Sequence, residues 1–244
     1  MIVLMTVGEE ETIIKDLYLV LMKNQLGNVK ECKNLIRKGH VEVNGHCERD
    51  FRYRVKKEDC IFVDGQRINA TPFVYYMLYK PAGYICASRD AVYPCVVDLI
   101  GRQDCYCVGR LDIDTTGFVL LTNDASLSKK LLLPENHVEK VYEVWTQSPI
   151  TKQDVIDFEK GVIIDHHVQC LPSRLEIIDD YHCLVTLKEG KYHQIKEMFL
   201  SISNQVVCLK RISFAGIVLD PHLEPGQYRH FNDEEIAYLQ AALR

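Results

Sequence analysis

The order of apolar and polar positions along the chain predicts two regions of different build. Leu17, Val20 and Leu21 recur at helical spacing, and Cys32, Leu35 and Ile36 do so again. Each set lays one apolar stripe along an amphipathic helix. "GNVKE" between them supplies a helix stop followed by a fresh start. "HVEVNG" then alternates apolar with polar and ends in Asn44-Gly45, the dipeptide of a tight hairpin turn. Two short helices and a hairpin make a compact module over residues 1–64. "DGQRINATP" is polar and contains Gly65 and Pro72, so residues 65–72 read as a linker.

From residue 73 to 244 strands dominate. "FVYYMLYKP" and "YEVWT" are aromatic and β-branched, "FVLLT" and "HCLVTL" are apolar runs, and "QVVCLKRISFAGIVL" is long enough for two strands or one bent one. Helices interrupt them at "ASLSKKLLL", at "TKQDVIDFEKG" with Thr151 as N-cap, at "YHQIKEMFLSI", and at "NDEEIAYLQAAL". The last opens with a capping box from Asn232 to Glu235. Strands and helices mix without regular βαβ spacing, which predicts an α+β domain built on a mixed sheet. No internal repeat or low-complexity tract is visible.

The 244 residues are 47% hydrophobic and 26% charged, enough apolar material for a core and no signature of disorder. The opening "MIVLMTVGEEE" has a short apolar run, no basic flank and acids immediately after it, so it reads as neither signal peptide nor membrane span. A cytoplasmic protein without a membrane partner is expected. Ten cysteines are scattered with no C-x-x-C pair, which favours reduced, mostly buried thiols over a zinc site. His166-His167 reads as surface, so no metal is expected.

The net charge of −5 hides an asymmetry. Residues 28–57 hold nine basic and four acidic residues, and Lys30, Lys33 and Arg37 share one face of the second helix, with Lys38 beside them. Such a patch suits phosphate contacts, although composition alone is equally consistent with a solvated basic face.

The chemistry centres on "GRLDIDTTGFVLLTND", residues 109–124. "DTTG" is one residue off the aspartic-protease spacing and lacks a second equivalent carboxylate. Gly109 and Gly117 lack the lysine and spacing of a phosphate-binding loop. A tight loop, with Asp112 or Asp114 capping a turn, stays open as a structural reading. Three further stretches weigh against it. "LYKPAGYICAS" puts a lysine before Pro81 at the end of an apolar strand. "EKVYEV" sets Lys140 and Tyr142 on one strand face. "EGKYHQIKEMF" opens a helix whose buried stripe contains Ile195, with Lys196 about 100° around the axis, at the stripe's edge.

Two resemblances follow from these motifs. "NVKECKNLIRKGHVEVNG" resembles a small RNA-binding domain found in a small-subunit ribosomal protein and in rRNA-modifying enzymes, whose helix lies against the RNA backbone. This implies that Lys30, Lys33, Arg37 and Lys38 contact RNA. "KPAGYICAS", "GRLDIDTTG", "EKVYEV", "EGKYHQIK" and "LKRISFAGIVL", in that order, resemble the pseudouridine synthases of the small-subunit rRNA (RsuA-like) type over essentially residues 13–240. Tyr192-His193 stands where large-subunit relatives carry N-R, which favours the small-subunit branch.

That resemblance implies a largely antiparallel catalytic sheet and isomerisation of uridine to pseudouridine in rRNA. The ribose C1′–N1 bond breaks, the base turns, and C5 takes its place. No atoms or electrons enter or leave, so no cofactor or metal is implied. One ionised carboxylate is needed, and the family position is Asp112. Whether it attacks C1′, attacks uracil C6 or assists glycal formation is left open by the sequence. A carboxylate in a dry cleft tends to take up a proton, and the family cation that opposes this is Lys196. Tyr142 matches the tyrosine that packs on the uracil, Ile195 the pocket floor, and Arg110 the arginine that fills the space left by the extruded base. Asp114 is read as a loop residue. A monomer is expected. The rival readings are a non-catalytic rRNA-binding or ribosome-assembly factor, and a synthase acting on large-subunit rRNA.

Overall fold

The computed structural model describes residues 13–24, 26–56, 58–70, 73–102 and 104–242, without the side chains of residues 13–15 and 242. The opening "MIVLMTVGEEE", read above as neither signal nor span, lies outside the described residues. The chain forms two compact units, Met1–Phe73 and Val74–Arg244.

The first unit contains β1 (Ile13–Asp16), α1 (Leu17–Lys23), α2 (Val29–Lys38), β2 (Val41–Val43), β3 (His46–Cys47), β4 (Arg54–Lys56), β5 (Ile61–Val63) and β6 (Gln66–Ile68). α2 begins at a capping box. The Asn28 side chain accepts from the amides of Lys30 and Glu31, and the Glu31 carboxylate accepts from the Asn28 amide at 2.8 Å. This satisfies amides that a helix start leaves without partners. Leu17, Val20, Leu21, Cys32 and Ile36 are buried against Val41, Val55 and Ile61. Asn44 and Gly45 both take positive φ, 52° and 81°, as the β2–β3 turn requires.

The expected linker begins later than residue 65. β6 pairs antiparallel with β5, in a sheet ordered β3-β2-β5-β6. Asp64 and Gly65 turn between them, again at positive φ. "DGQR" is polar because it forms a turn and a solvent-facing edge strand, a composition shared with linkers.

The second unit is α+β. Its strands are β7 (Tyr75–Lys80), β8 (Tyr106–Val108), β9 (Thr116–Thr122), β10 (Lys140–Thr146), β11 (Ile163–Ile164), β12 (Val168–Gln169), β13 (Arg174–Asp179), β14 (His182–Leu187), β15 (Val206–Phe214), β16 (Ile217–Val218) and β17 (Tyr228–His230). Its α-helices are α3 (Val96–Ile100), α4 (Ala125–Leu132), α5 (Lys152–Lys160), α6 (Gln194–Ser201) and α7 (Asp233–Ala242). The main sheet runs β13-β14-β10-β15-β9-β7-β17, and only the β9–β15 pair in it is parallel. "QVVCLKRISFAGIVL" forms two strands, β15 and β16, turned at Ala215-Gly216. The Asn232–Glu235 capping box forms, at 2.8 and 2.9 Å.

Alternation along each strand puts its two sets of side chains on opposite faces. Leu78, Val119, Leu121 and Val144 pack with Val96, Phe158, Ile195, Met198 and Phe199 from α3, α5 and α6. Phe118, pointing the other way, meets Phe214 edge-on and Phe231 at a tilt. Where β9 meets β15, Gly117 sits at φ +103°, and a Cβ there would lie 2.3 Å from the Arg211 carbonyl oxygen. Only glycine lets the two backbones approach so closely.

All ten cysteines are free thiols; five are buried, three half-buried, and Cys47 and Cys208 exposed. His166 and His167 are exposed on the turn between β11 and β12. Among the described residues, no helix is long and apolar enough to cross a membrane, and no three His, Cys, Asp or Glu side chains converge as metal ligands would.

Candidate active site

Residues 109–115 run from β8 into the buried strand β9, and buried groups hold this loop from beneath. The Lys80 ammonium, fully buried at the end of β7, donates to the carbonyls of Thr115 at 2.7 Å, Pro81 at 3.1 Å and Ile113 at 3.2 Å. Burial pushes the Lys80 ammonium below the ordinary lysine value, against the opposing pull of Asp112 and Asp114. The Leu111 amide donates to Cys86 Sγ at 3.4 Å, and the Thr115 amide closes a turn on the Asp112 carbonyl at 3.1 Å. A lysine ahead of a proline, at the end of an apolar strand, is therefore the loop's anchor. Each carbonyl it serves would cost about 1–3 kcal/mol if left buried and unpaired.

The loop presents Asp112 to a cavity of about 360 Å³. Arg110, Tyr142 and Ile195 line the same cavity. Tyr142 comes from β10, with its ring largely buried, and Ile195 comes from the first turn of α6. Lys196, next on α6, places Nζ 3.1 Å from Asp112 Oδ2 and 2.6 Å from Asp114 Oδ1. Burial works against the Lys196 ammonium, yet its bonds to Asp114 and Asp112 leave it above the ordinary lysine value. For Asp114 burial likewise opposes, and the Lys196 bond wins and holds the carboxyl below the usual range. Asp114 is therefore more than a loop residue: it shares the lysine with Asp112.

The structure thus brings Asp112, Arg110, Tyr142, Ile195 and Lys196 to one place. Lys30, Lys33, Arg37 and Lys38 are on α2 of the other unit. There Lys33 Nζ lies 4.5 Å from the Tyr18 ring centroid and 4.7 Å from that of Phe51, with the Arg37 guanidinium 4.8 Å from Phe51.

Three further residues at the cavity have no site role in the sequence reading. His193 Nε2 lies 3.5 Å from Asp112 Oδ1, its backbone left-handed at φ 48° and its ring stacked on exposed Tyr192. Lys140 and Arg211 also line the cavity. A signal existed for Lys140, which alternates onto the Tyr142 face of its strand.

A mixed sheet with one carboxylate loop over a small cavity defines a class. The model of the RNA pseudouridylate synthase family matches residues 74–201, and the chain belongs to that family. It is 38% identical over 229 residues to the RNA pseudouridine synthase YtzG of Bacillus subtilis (strain 168), covering 90% of this chain and 96% of that one. It is 40% identical over 212 residues to ribosomal small subunit pseudouridine synthase A of Pseudomonas aeruginosa, covering 85% and 92%. A crystal structure of a pseudouridylate synthase superposes with a TM-score of 0.66 at 32% identity, over 92% of this chain and 99% of that one.

Proposed function

We propose that the protein isomerises a specific uridine of small-subunit rRNA to pseudouridine, with Asp112 as the reacting carboxylate. The observation that supports this reading best is Lys196, 3.1 Å from Asp112 beside a cavity lined by Tyr142, Ile195 and Arg110. A cation at that distance favours the ionised carboxylate, the form that can attack ribose C1′ or take its C2′ proton. In this reading Tyr142 packs on the uracil, Ile195 closes the floor, and exposed Arg110 fills the gap left in the RNA stack. Lys30, Lys33, Arg37 and Lys38 contact RNA phosphates.

The isomerisation balances without added atoms or electrons, so the reading includes no cofactor or metal. It takes the protein to act as a monomer in the cytoplasm, on rRNA either free or in an assembling particle. A non-catalytic assembly factor would have no need for a lysine-paired aspartate at a cavity. A large-subunit substrate is disfavoured by relatives named for the small subunit.

Asp112→Asn should abolish pseudouridine formation while RNA affinity stays within about threefold. The check is a pseudouridine map of rRNA from cells lacking the gene, complemented with either form. Normal turnover by Asp112→Asn would remove Asp112 from the reaction. An unchanged map in the deletion would remove small-subunit rRNA as substrate.

A further inference from the structure

Two cations that reach the cavity from its strands have no part in the scheme above. Lys140 enters from β10 on the face that carries Tyr142, its Nζ donating to the Val138 carbonyl at 2.7 Å. Arg211 stands opposite Tyr142 in the β10–β15 register and is 1% exposed. Its Nε donates to the Phe118 carbonyl at 2.8 Å, while its Nη2 is buried with no hydrogen-bond partner. Both cations flank the ring of Phe214, at 5.9 Å for Lys140 and 5.0 Å for Arg211. Among the described residues, neither has a carboxylate within 4 Å, whereas Lys196 and Lys210 do.

Two neighbouring positive charges with no carboxylate in contact, one of them fully buried, are costly to fold. They suit a cavity that receives negative charge during its work. We propose that Lys140 and Arg211 stabilise the charge that develops on the uracil carbonyl oxygens as the glycosidic bond breaks. This rests on the isomerase reading and assigns these residues the part of an electrostatic, not a proton-transferring, group.

The electron inventory explains the need. When C1′–N1 breaks, its electron pair leaves with the base, and the resulting anion spreads from N1 onto O2 and O4. The ribose is balanced by Asp112, either through a bond to C1′ or through uptake of the C2′ proton. After the base turns, C5 bonds to C1′ as the Asp112–C1′ bond breaks or the C2′ proton returns from Asp112, and then C5 loses its proton and N1 gains one. Until then the base is an anion, and fixed cations beside its oxygens lower the barrier. Burial selects the base over the backbone. Arg211 shares the cavity lining with buried Leu187, Ile195 and Leu209, which suit an extruded base, while exposed Arg110 and Lys188 suit phosphates.

Burial, together with Arg211, pushes the Lys140 ammonium down to about 8, with Glu189 opposing. The other titratable and charged groups of its cavity are Arg211 from β15, Lys188, Glu189, Lys191 and His193 from the segment between β14 and α6, and Arg110 and Asp112 from the loop before β9. A needed cation is fully present below its own pKa and is lost as pH rises through it. The isomerisation rate should therefore decline as pH passes about 8.

The test is single-turnover isomerisation of unmodified rRNA at saturating enzyme. RNA of both subunits is offered, so a wrong choice of subunit leaves the measurement intact. Lys140→Met should slow the reaction about 100-fold, the scale of one lost oxyanion partner, with RNA affinity unchanged. Lys140→Arg, permanently charged, should retain most of the rate and flatten the alkaline decline. A Lys140→Met rate within about threefold of wild type, or a loss in affinity alone, overturns the proposal. If Lys140→Met does not fold, the wild-type and Lys140→Arg pH profiles decide, and an alkaline limb identical in both overturns it.

Discussion

Gly117 and Lys80 do for the site what no cavity residue can do, and each works through the backbone. At Gly117 the missing Cβ lets β9 lie against Arg211, and φ +103° disfavours any side chain. Gly117→Ala combines that backbone strain with a clash against main-chain atoms that have nowhere to move. The expected loss is more than about 3 kcal/mol of stability, read as a fall in denaturant midpoint at constant m-value. A midpoint near that of wild type would mean the strands part without cost. Legibility at this scale follows the same division. Asp112 is readable because "GRLD" is a motif. Asp114 is not, because its pairing with Lys196 depends on how the loop curves between β8 and β9. Arg211 is hidden too, because a charge in "LKRISF" looks like the polar half of a strand until the register places it opposite Tyr142.

Among the elements, α2 shows how a pattern predicts form more firmly than use. Its caps, apolar stripe and basic face all stand in the sequence, since each depends on neighbours within a few residues. What the pattern leaves out is that Lys33 and Arg37 lie over the rings of Tyr18 and Phe51, which narrows where their charges can point. If both meet phosphates, Lys33→Ala with Arg37→Ala should lower the slope of log affinity against log salt by about 0.7–0.9 per lost contact. Binding titrations across a salt series measure this, and an unaltered slope would take the helix out of the RNA interface. β6 is hidden in the sequence for the opposite reason. Its three residues carry no apolar alternation, and only pairing with β5 makes them a strand.

For the whole molecule, the two units have separate apolar cores, one around Leu17, Ile36 and Ile61, the other around Leu78, Val119 and Phe199. Residues 74–244 should therefore fold alone, with one cooperative thermal transition, and should turn over saturating RNA within about threefold of the full chain while binding it more weakly. Failure to fold, seen by circular dichroism, would show that the catalytic unit needs the first 73 residues. The α+β class was legible from strands and helices mixed without a βαβ rhythm. The order of strands was not, since pairing between distant segments leaves no local trace. One such pairing also sets a timetable. Arg211 donates to the Phe118 carbonyl across 93 positions of chain, and Lys210 and Arg211 are the partners of Thr116 and Gly117 in the parallel pair. Contacts so remote close slowly, because the intervening polymer must first be gathered in. A ribosome making this protein must therefore release β15 from its exit tunnel before β9, the strand that the aspartate loop runs into, gains its parallel partner.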